Sequence, residues 1–229
     1  MSKTPTASAL IRELKEHGNP DLAAFSARFF KTGKGQYGHG DIFLGLKVPL
    51  TRRLVKPYKN LPFPEIQKLL DSRYHEVRLA GVIILSTRND AGSFYLKNAA
   101  RINNWDLVDV SAPQVVGPLI KTKGMGFLKK LARHPLLWNR RIAMLATFHE
   151  IKKGNPVPAL QIAEILLDDK EDLMHKAVGW MLREVGKRCS TSVLDQFLDT
   201  HARRMPRTAL RYALERHPEQ KRAYYMKKA

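Results

Sequence analysis

The chain has 229 residues, of which 40 are lysine or arginine and 21 are aspartate or glutamate, so its formal net charge is +19 and its sequence pI is near 10.2. A hydrophobic content of 44% is enough for a packed core and excludes wholesale disorder, and the single cysteine, Cys189, excludes a disulfide framework and a cysteine-only zinc site. No apolar run approaches the length of a membrane-spanning helix, about 20 residues, and the N-terminus lacks the apolar core of a secretory signal. We therefore expect a soluble cytoplasmic protein.

The excess positive charge is spread along the chain and is not confined to a tail. Basic pairs recur inside periodic segments, for example at 52–53, 140–141 and 187–188, so folded elements must display them. The phosphate backbone of a nucleic acid is the partner that such a surface fits, because each neutralised phosphate releases counterions and adds affinity. A basic surface that only aids solubility is the alternative.

Two helices and a glycine-rich segment are predicted for the N-terminal part of the chain. Apolar periodicity indicates a capping pair of helices at 7–16 and 20–30. The segment 32–43 has four glycines in its first ten residues, which disfavours a helix because each costs about 1 kcal/mol relative to alanine. It is either a flexible loop or a glycine-rich β-hairpin. We expect Lys34 and Tyr37 to reach a DNA groove from it, with a plain connection as the alternative.

Helix pairs are predicted from residue 64 onward, each starting about 32–36 residues after the previous pair. Gly, Pro, Asn or Asp marks the joints, and the pairs are 64–71 with 75–87, 92–101 with 105–119, 124–133 with 137–151, 156–167 with 172–187, and 192–201 with 206–216. This period is typical of an α-solenoid, in which each pair buries its apolar face against its neighbours. We predict an all-α, right-handed α-solenoid that forms a single domain over residues 1–229. An irregular helical bundle is the alternative.

Five side chains fall in or beside one row when the second helices of the pairs are aligned by their apolar stripes. Arg78, Asp109 and Arg141 occupy equivalent positions, which predicts a row on one surface. Trp105 lies one helical turn from Asp109, and Trp180 lies beside the same row. Taken singly, such residues indicate core packing and a salt bridge. Together they suit a cationic or base-like ligand beside phosphates.

Three sequence runs carry a resemblance to a known family: NWDLVD at 104–109, WNRR at 138–141 and KAVGWMLRE at 176–184. Together they resemble the AlkD-like DNA glycosylases, which are DNA alkylation repair enzymes built from HEAT-like helix pairs. The resemblance implies excision of N3- and N7-alkylpurines from double-stranded DNA, with Asp109 as the catalytic carboxylate. It also implies the contacts made by four other residues: Trp105 and Trp180 with the sugar and lesion, Arg141 with the DNA backbone, and Phe29 in place of a tyrosine of the N-terminal lid.

The remaining expected DNA contacts extend the same basic surface and come from Arg78, Arg140, Lys176 and Arg207. For Arg207 the alternative is a solvated helix face.

The implied reaction fits a site with one carboxylate, Asp109, because an alkylated purine is already cationic and leaves as a neutral base without a general acid. The deoxyribose that remains resembles an oxocarbenium ion, which one carboxylate stabilises, so we expect no metal and no organic cofactor. The resemblance further implies a monomer, associated with the nucleoid if the source is bacterial.

The glycine-rich segment supports a second hypothesis of a different class. A related AlkF/AlkG-type branch resembles the glycosylases but carries an extra β-hairpin near the DNA, and similarity to this branch implies binding of branched DNA without cleavage of the glycosidic bond. The segment 32–43 is a candidate for that hairpin. Retention of Asp109, Trp105, Trp180 and Arg141 favours the glycosylase. A helical-repeat scaffold for protein interactions is a third hypothesis, which the strongly basic charge disfavours.

Overall fold

The computed structural model describes residues 5–228, and the described chain is helical. It forms two compact units, the first ending at Ser111 and the second beginning at Ala112. The helices of the first unit are α1 (Ala7–Glu16), α2 (Pro20–Phe29), α3 (Val48–Leu54), α4 (Phe63–Leu70), α5 (His75–Leu85), α6 (Gly92–Lys97) and α7 (Trp105–Asp109). Those of the second are α8 (Ala112–Val115), α9 (Leu119–Ala132), α10 (Leu137–Ala146), α11 (Phe148–Ile151), α12 (Val157–Leu166), α13 (Asp172–Arg188), α14 (Thr191–His201), α15 (Arg207–Ala213) and α16 (Glu219–Lys228).

The predicted all-α class is confirmed, and the succession of paired helices within each unit is consistent with an α-solenoid. In the first unit α5 is the central element, since all of its residues are buried. It packs against α1, α3, α4 and α7. The apolar run at 79–85 explains this position, because a segment that is hydrophobic on all sides must be enclosed by other helices. The first turn of α5 carries the buried polar residues His75, Glu76 and Arg78. The apolar residues of α1 and α4, among them Leu10, Leu14 and Ile66, complete the core.

In the second unit the 17-residue helix α13 is the central element. It packs against α10, α11, α12, α14 and α15. Gly179 allows the closest of these approaches, because a Cβ atom there would lie 2.3 Å from the carbonyl oxygen of Ala209 on α15. No side chain larger than hydrogen fits at this crossing.

The predicted helix at 105–119 is broken in the structure. α7 ends at Asp109 and α8 begins at Ala112. Pro113 explains the break, because it has no backbone N–H to donate to the carbonyl of Asp109 and its ring crowds the preceding turn. Gly124, predicted to start a helix, instead makes a kink inside α9 with φ of 74°.

The predicted β-hairpin within 32–43 is wrong, and the loop alternative is correct. Successive backbone hydrogen bonds join residues three apart, at Gln36 to Gly33, His39 to Gln36 and Asp41 to Gly38, so the segment is a series of turns. Within residues 5–228 the bridge between Ile42 and Tyr74 is isolated and parallel, whereas a hairpin needs antiparallel strands. Glycine spacing alone could not separate these two outcomes, because both use glycine for turns.

Substitution of Gly45, which follows the glycine-rich loop, tests how tightly the first unit is packed. Gly45 has φ of 80°, and a Cβ atom there would lie 2.0 Å from the carbonyl oxygen of Asn19. We expect Gly45→Ala to lower the free energy of unfolding by about 3 kcal/mol, from backbone strain together with the clash. Gly35→Ala is the control, since Gly35 has φ of 78° but no atom within 4 Å of the added Cβ. It should cost only about 1 kcal/mol. Urea unfolding measures both, and equal losses would contradict the packing argument.

Candidate functional site

Helix α7 presents one indole and one carboxylate to solvent. Asp106, Leu107 and Val108 are buried, whereas Trp105 and Asp109 are partly exposed. The two exposed residues are four apart, so they share one face of the helix. Asn104 caps the helix, because its side-chain oxygen accepts a hydrogen bond of 2.8 Å from the backbone N–H of Trp105. The local sequence thus places an acid and an aromatic ring side by side.

Aromatic rings from the end of α2 support Trp105. Phe30 stacks on the indole with ring centroids 5.1 Å apart and an interplanar angle of 17°. Phe29 meets the indole edge-on at 6.0 Å. The indole Nε1–H donates a hydrogen bond of 3.2 Å to the Tyr37 hydroxyl. The predicted residues Phe29, Tyr37 and Trp105 are therefore in mutual proximity.

Helix α2 itself is exposed along its length. None of its residues is buried, and Phe25 and Phe29 are 58% and 56% exposed and stack at 6.2 Å. Lys34, in the adjoining loop, is also exposed. Two large, exposed aromatic side chains on a strongly basic protein form a surface suited to stacking with nucleic-acid bases.

A buried group of four charged residues lies beneath these rings, and we name it the His75 clamp: Asp41, His75, Arg78 and Asp106. The His75 ring lies 3.1 Å from Asp41 through Nδ1 and 2.8 Å from Asp106 through Nε2. Arg78 donates a hydrogen bond of 2.6 Å to the other oxygen of Asp41. A histidine that donates from both nitrogens is the charged imidazolium, so two cations face two carboxylates.

The pKa values follow from this pairing. Burial opposes the charge on His75, but the Asp106 carboxylate and the hydrogen bonds to both acids outweigh it and raise the pKa of His75 to about 9. Burial likewise opposes ionisation of Asp41, but the hydrogen bond with His75 and the charge of Arg78 hold the pKa of Asp41 below its usual range. Arg78, expected on a DNA-facing row, is only 5% exposed, and its guanidinium binds Asp41 and the Ser72 carbonyl.

The end of the glycine-rich loop is anchored to α5 by backbone contacts. The Glu76 carboxylate accepts hydrogen bonds from three consecutive backbone N–H groups, those of Leu44, Gly45 and Leu46. The His75 N–H donates to the Ile42 carbonyl at 2.8 Å. The sequence analysis did not predict Asp41, His75, Glu76 or Asp106 as site residues. Only Asp41 had a signal in the sequence, because it is the single acidic residue at the end of the glycine-rich segment.

A buried tyrosine supports α7 from the core side. The Ser111 hydroxyl donates to the Leu107 carbonyl, so the Tyr95 hydroxyl must donate to Ser111 across 2.7 Å. Burial, with a smaller contribution from the negative charge of Asp109, raises the pKa of Tyr95 well above its usual range. Tyr95 therefore stays neutral and serves as a fixed donor.

The second unit holds the other predicted site residues. Trp180 is partly exposed on α13, with the Phe148 ring 6.2 Å away. Arg141 is 4% exposed and donates a hydrogen bond of 2.5 Å to the Leu173 carbonyl. Arg140 binds both oxygens of Asp169, at 2.6 and 3.2 Å.

The last two predicted contacts lie on the surface of this unit. Lys176 pairs with Asp172 at 2.7 Å, one turn away on α13. Arg207 is exposed, and one of its amino groups donates to the Met226 carbonyl. Within the described residues no group of three His, Cys, Asp or Glu side chains is arranged to hold a metal ion. No helix in that same part of the chain has both the length and the apolar character needed to cross a membrane.

The charge on His75 makes stability depend on pH. The pKa of His75 is about 9 in the folded protein, above the value of about 6.5 for a histidine in an unfolded chain, so the imidazolium contributes stability that is complete below about pH 6.5 and is lost as the pH rises through 9. We expect the wild-type free energy of unfolding to fall by about 2 to 3 kcal/mol between about pH 6 and 10. His75→Gln, which cannot be protonated, should be less stable at low pH and should lack this fall. Denaturant titrations at several pH values measure both, and parallel curves would contradict the charged clamp.

The sequence matches one protein family, and the fold matches a solved structure. Residues 10–217 match the family described as DNA alkylation repair enzyme. A similar solved structure is the predicted DNA alkylation repair enzyme from Enterococcus faecalis, with a TM-score of 0.69. The similarity covers 88% of this chain and 97% of that one at 18% sequence identity, so it supports the fold alone. No curated protein matches the chain significantly. Because the family match spans nearly the whole chain, the protein belongs to the DNA alkylation repair enzymes.

Proposed function

We propose that the protein is a DNA glycosylase that removes cationic N3- and N7-alkylpurines from double-stranded DNA. The observation that carries this proposal is the exposed face of α7, where Trp105 and Asp109 lie one turn apart on an otherwise buried helix. Membership of the DNA alkylation repair family supports DNA as the substrate. A carboxylate beside an aromatic ring matches the charge that develops when a cationic base leaves.

The proposed reaction breaks the bond between C1′ and the purine nitrogen. The bonding electron pair leaves with the base, which becomes neutral, and the positive charge passes to the deoxyribose. The Asp109 carboxylate stabilises this oxocarbenium-like sugar and orients a water molecule, whose oxygen bonds to C1′ and whose proton is lost to solvent. The face of Trp105 adds cation–π stabilisation.

DNA binding rests on the surface cations and aromatic rings. The formal charge of +19 favours association with a polyanion. Lys34 and Arg207 are exposed in the first and second units, and Trp180 adds a partly exposed ring in the second. The competing hypothesis of a branched-DNA binder depended on a β-hairpin at 32–43, and that segment is a loop. The structure therefore leaves no specific observation in favour of it.

Asp109→Asn tests the catalytic proposal, because it removes the negative charge and keeps the side-chain shape. We expect release of N7-methylguanine from duplex DNA to slow by about 100-fold or more, while duplex affinity stays within about threefold. Single-turnover base release and equilibrium binding measure the two effects.

Asp90→Asn is the matched control, since Asp90 lies on the surface of the same unit and pairs with Arg88. It should excise at the wild-type rate. If Asp109→Asn and Asp90→Asn excised equally well, the carboxylate of Asp109 would have no catalytic role.

The phosphate contacts are tested by salt. The logarithm of duplex affinity should fall linearly with the logarithm of salt concentration, with a slope of about −0.9 for each phosphate neutralised. Lys34→Ala should make this slope shallower by about one. Lys68→Ala, which removes a cation paired with Glu65, should leave the slope unchanged. A salt-independent affinity in the wild type would contradict the proposed phosphate contacts.

A further inference from the structure

Helix α7 has only five residues, so it cannot hold its own orientation. A single turn fixes several backbone dihedrals for very few hydrogen bonds and is unstable alone. The direction of Trp105 and Asp109 must therefore be set by contacts outside the helix. One such contact joins Asp106, in the first turn of α7, to His75 on α5.

The glycine-rich loop supplies a second constraint on the same face. Its Tyr37 hydroxyl accepts the indole N–H of Trp105. The loop is folded back on the end of α2, since the Gly38 N–H donates to the Lys31 carbonyl and a Cβ at Gly38 would lie 2.3 Å from the Phe30 carbonyl oxygen. Phe30 itself stacks on Trp105. One side of the indole is thus held by a ring and its polar edge by a hydroxyl.

His75 joins the loop to the helix. Nδ1 reaches Asp41 at the end of the loop, and Nε2 reaches Asp106 on α7. The other groups around the imidazole are Arg78 from its own helix, which binds Asp41, and the rings of Phe43 and Phe30, at 4.5 and 5.0 Å. The Asp106 Oδ1 atom is buried without a hydrogen-bond partner in the described chain, so the position of this carboxylate depends on His75.

We propose that Tyr37 and His75 are positioning residues, with Tyr37 holding the Trp105 indole and His75 locking the glycine-rich loop to α7. This inference rests on the proposed glycosylase function for its kinetic part only. Neither side chain takes part in bond breaking. Their loss should therefore reduce the rate of base release more than the affinity for DNA, because misplacement by a fraction of an ångström is costly mainly in the transition state.

Tyr37→Phe tests the first half, because it removes one hydroxyl and keeps the ring. Tyr74→Phe is the control, a partly buried tyrosine of the same unit whose ring packs under Lys15. We expect Tyr37→Phe to slow single-turnover release of N7-methylguanine by about tenfold with duplex affinity within about twofold. The control should match the wild type in both.

Fluorine NMR of protein labelled with fluorotryptophan gives a readout that needs no activity. The Trp105 resonance, assigned by Trp105→Phe, should move in Tyr37→Phe and stay in place in Tyr74→Phe. An unmoved resonance overturns the proposal, and so does a moved resonance with an unchanged excision rate in an active enzyme. A wild type without excision would refute the glycosylase function, and the resonance alone would then decide whether Tyr37 holds Trp105.

His75→Gln tests the second half. In the wild type the Trp105 resonance should shift, and excision should slow, as the pH rises through the range in which the His75 ring loses its proton. In His75→Gln the resonance should already be displaced at low pH, and both pH steps should be absent. If His75 had a purely structural role, its replacement would lower stability, but the Trp105 resonance and the excision rate would not change together with the protonation of His75. A wild-type resonance that is constant over this pH range overturns the role of His75.

Discussion

The burial of an imidazolium between two carboxylates is the interaction on which the first unit depends. Removing charges from water is costly, and the attraction between them repays the cost only when geometry is good and every charge is matched. Here His75 and Arg78 balance Asp41 and Asp106, with contacts of 2.6 to 3.1 Å. Because loss of one partner would leave a buried charge uncompensated, the loop, α5 and α7 must take their places together.

Trp105 and Trp180, the two tryptophans of the proposed function, are positioned by different means. Trp180 lies within the 17-residue helix α13, so neighbouring turns fix its backbone. Beside it the ring of Phe148 is covered by Lys152 and Arg188 at 4.6 and 5.2 Å. Trp105 lies at the start of a five-residue helix and depends on a loop and a buried ion network. Trp105 and Asp109 stay partly exposed on this short helix, and the His75 clamp provides the rigidity that a helix of this length lacks.

Local periodicity was enough to predict most helices, because their apolar stripes are visible in the sequence, as in α5 and α13. Local periodicity failed where contacts between residues far apart in the sequence determine the structure. The helix α16 has a single buried residue, Tyr225, whose hydroxyl lies 3.1 Å from Asp199 on α14. With one buried residue, α16 has no apolar stripe from which it could be predicted. The hairpin prediction failed because glycine spacing does not specify pairing. Asp109 and Trp105 were predicted from their spacing, whereas His75 was not, since its partners are 34 and 31 residues away.

Net charge was a strong functional signal in the sequence, but it does not give the number of basic residues that contact phosphates. Three of the arginines expected at the DNA bind acceptors of the protein itself: Arg78 binds Asp41, Arg140 binds Asp169, and Arg141 binds a backbone carbonyl. These guanidiniums organise the protein's own acceptors, a task suited to their rigid fork of donors. Exposed cations must therefore provide most of the attraction to DNA, as in the acid-free stretch 42–64 with Lys47, Arg52, Arg53, Lys56 and Lys59. The basic residues thus have two roles: arginines paired within the protein stabilise the fold, and exposed lysines and arginines attract the polyanion.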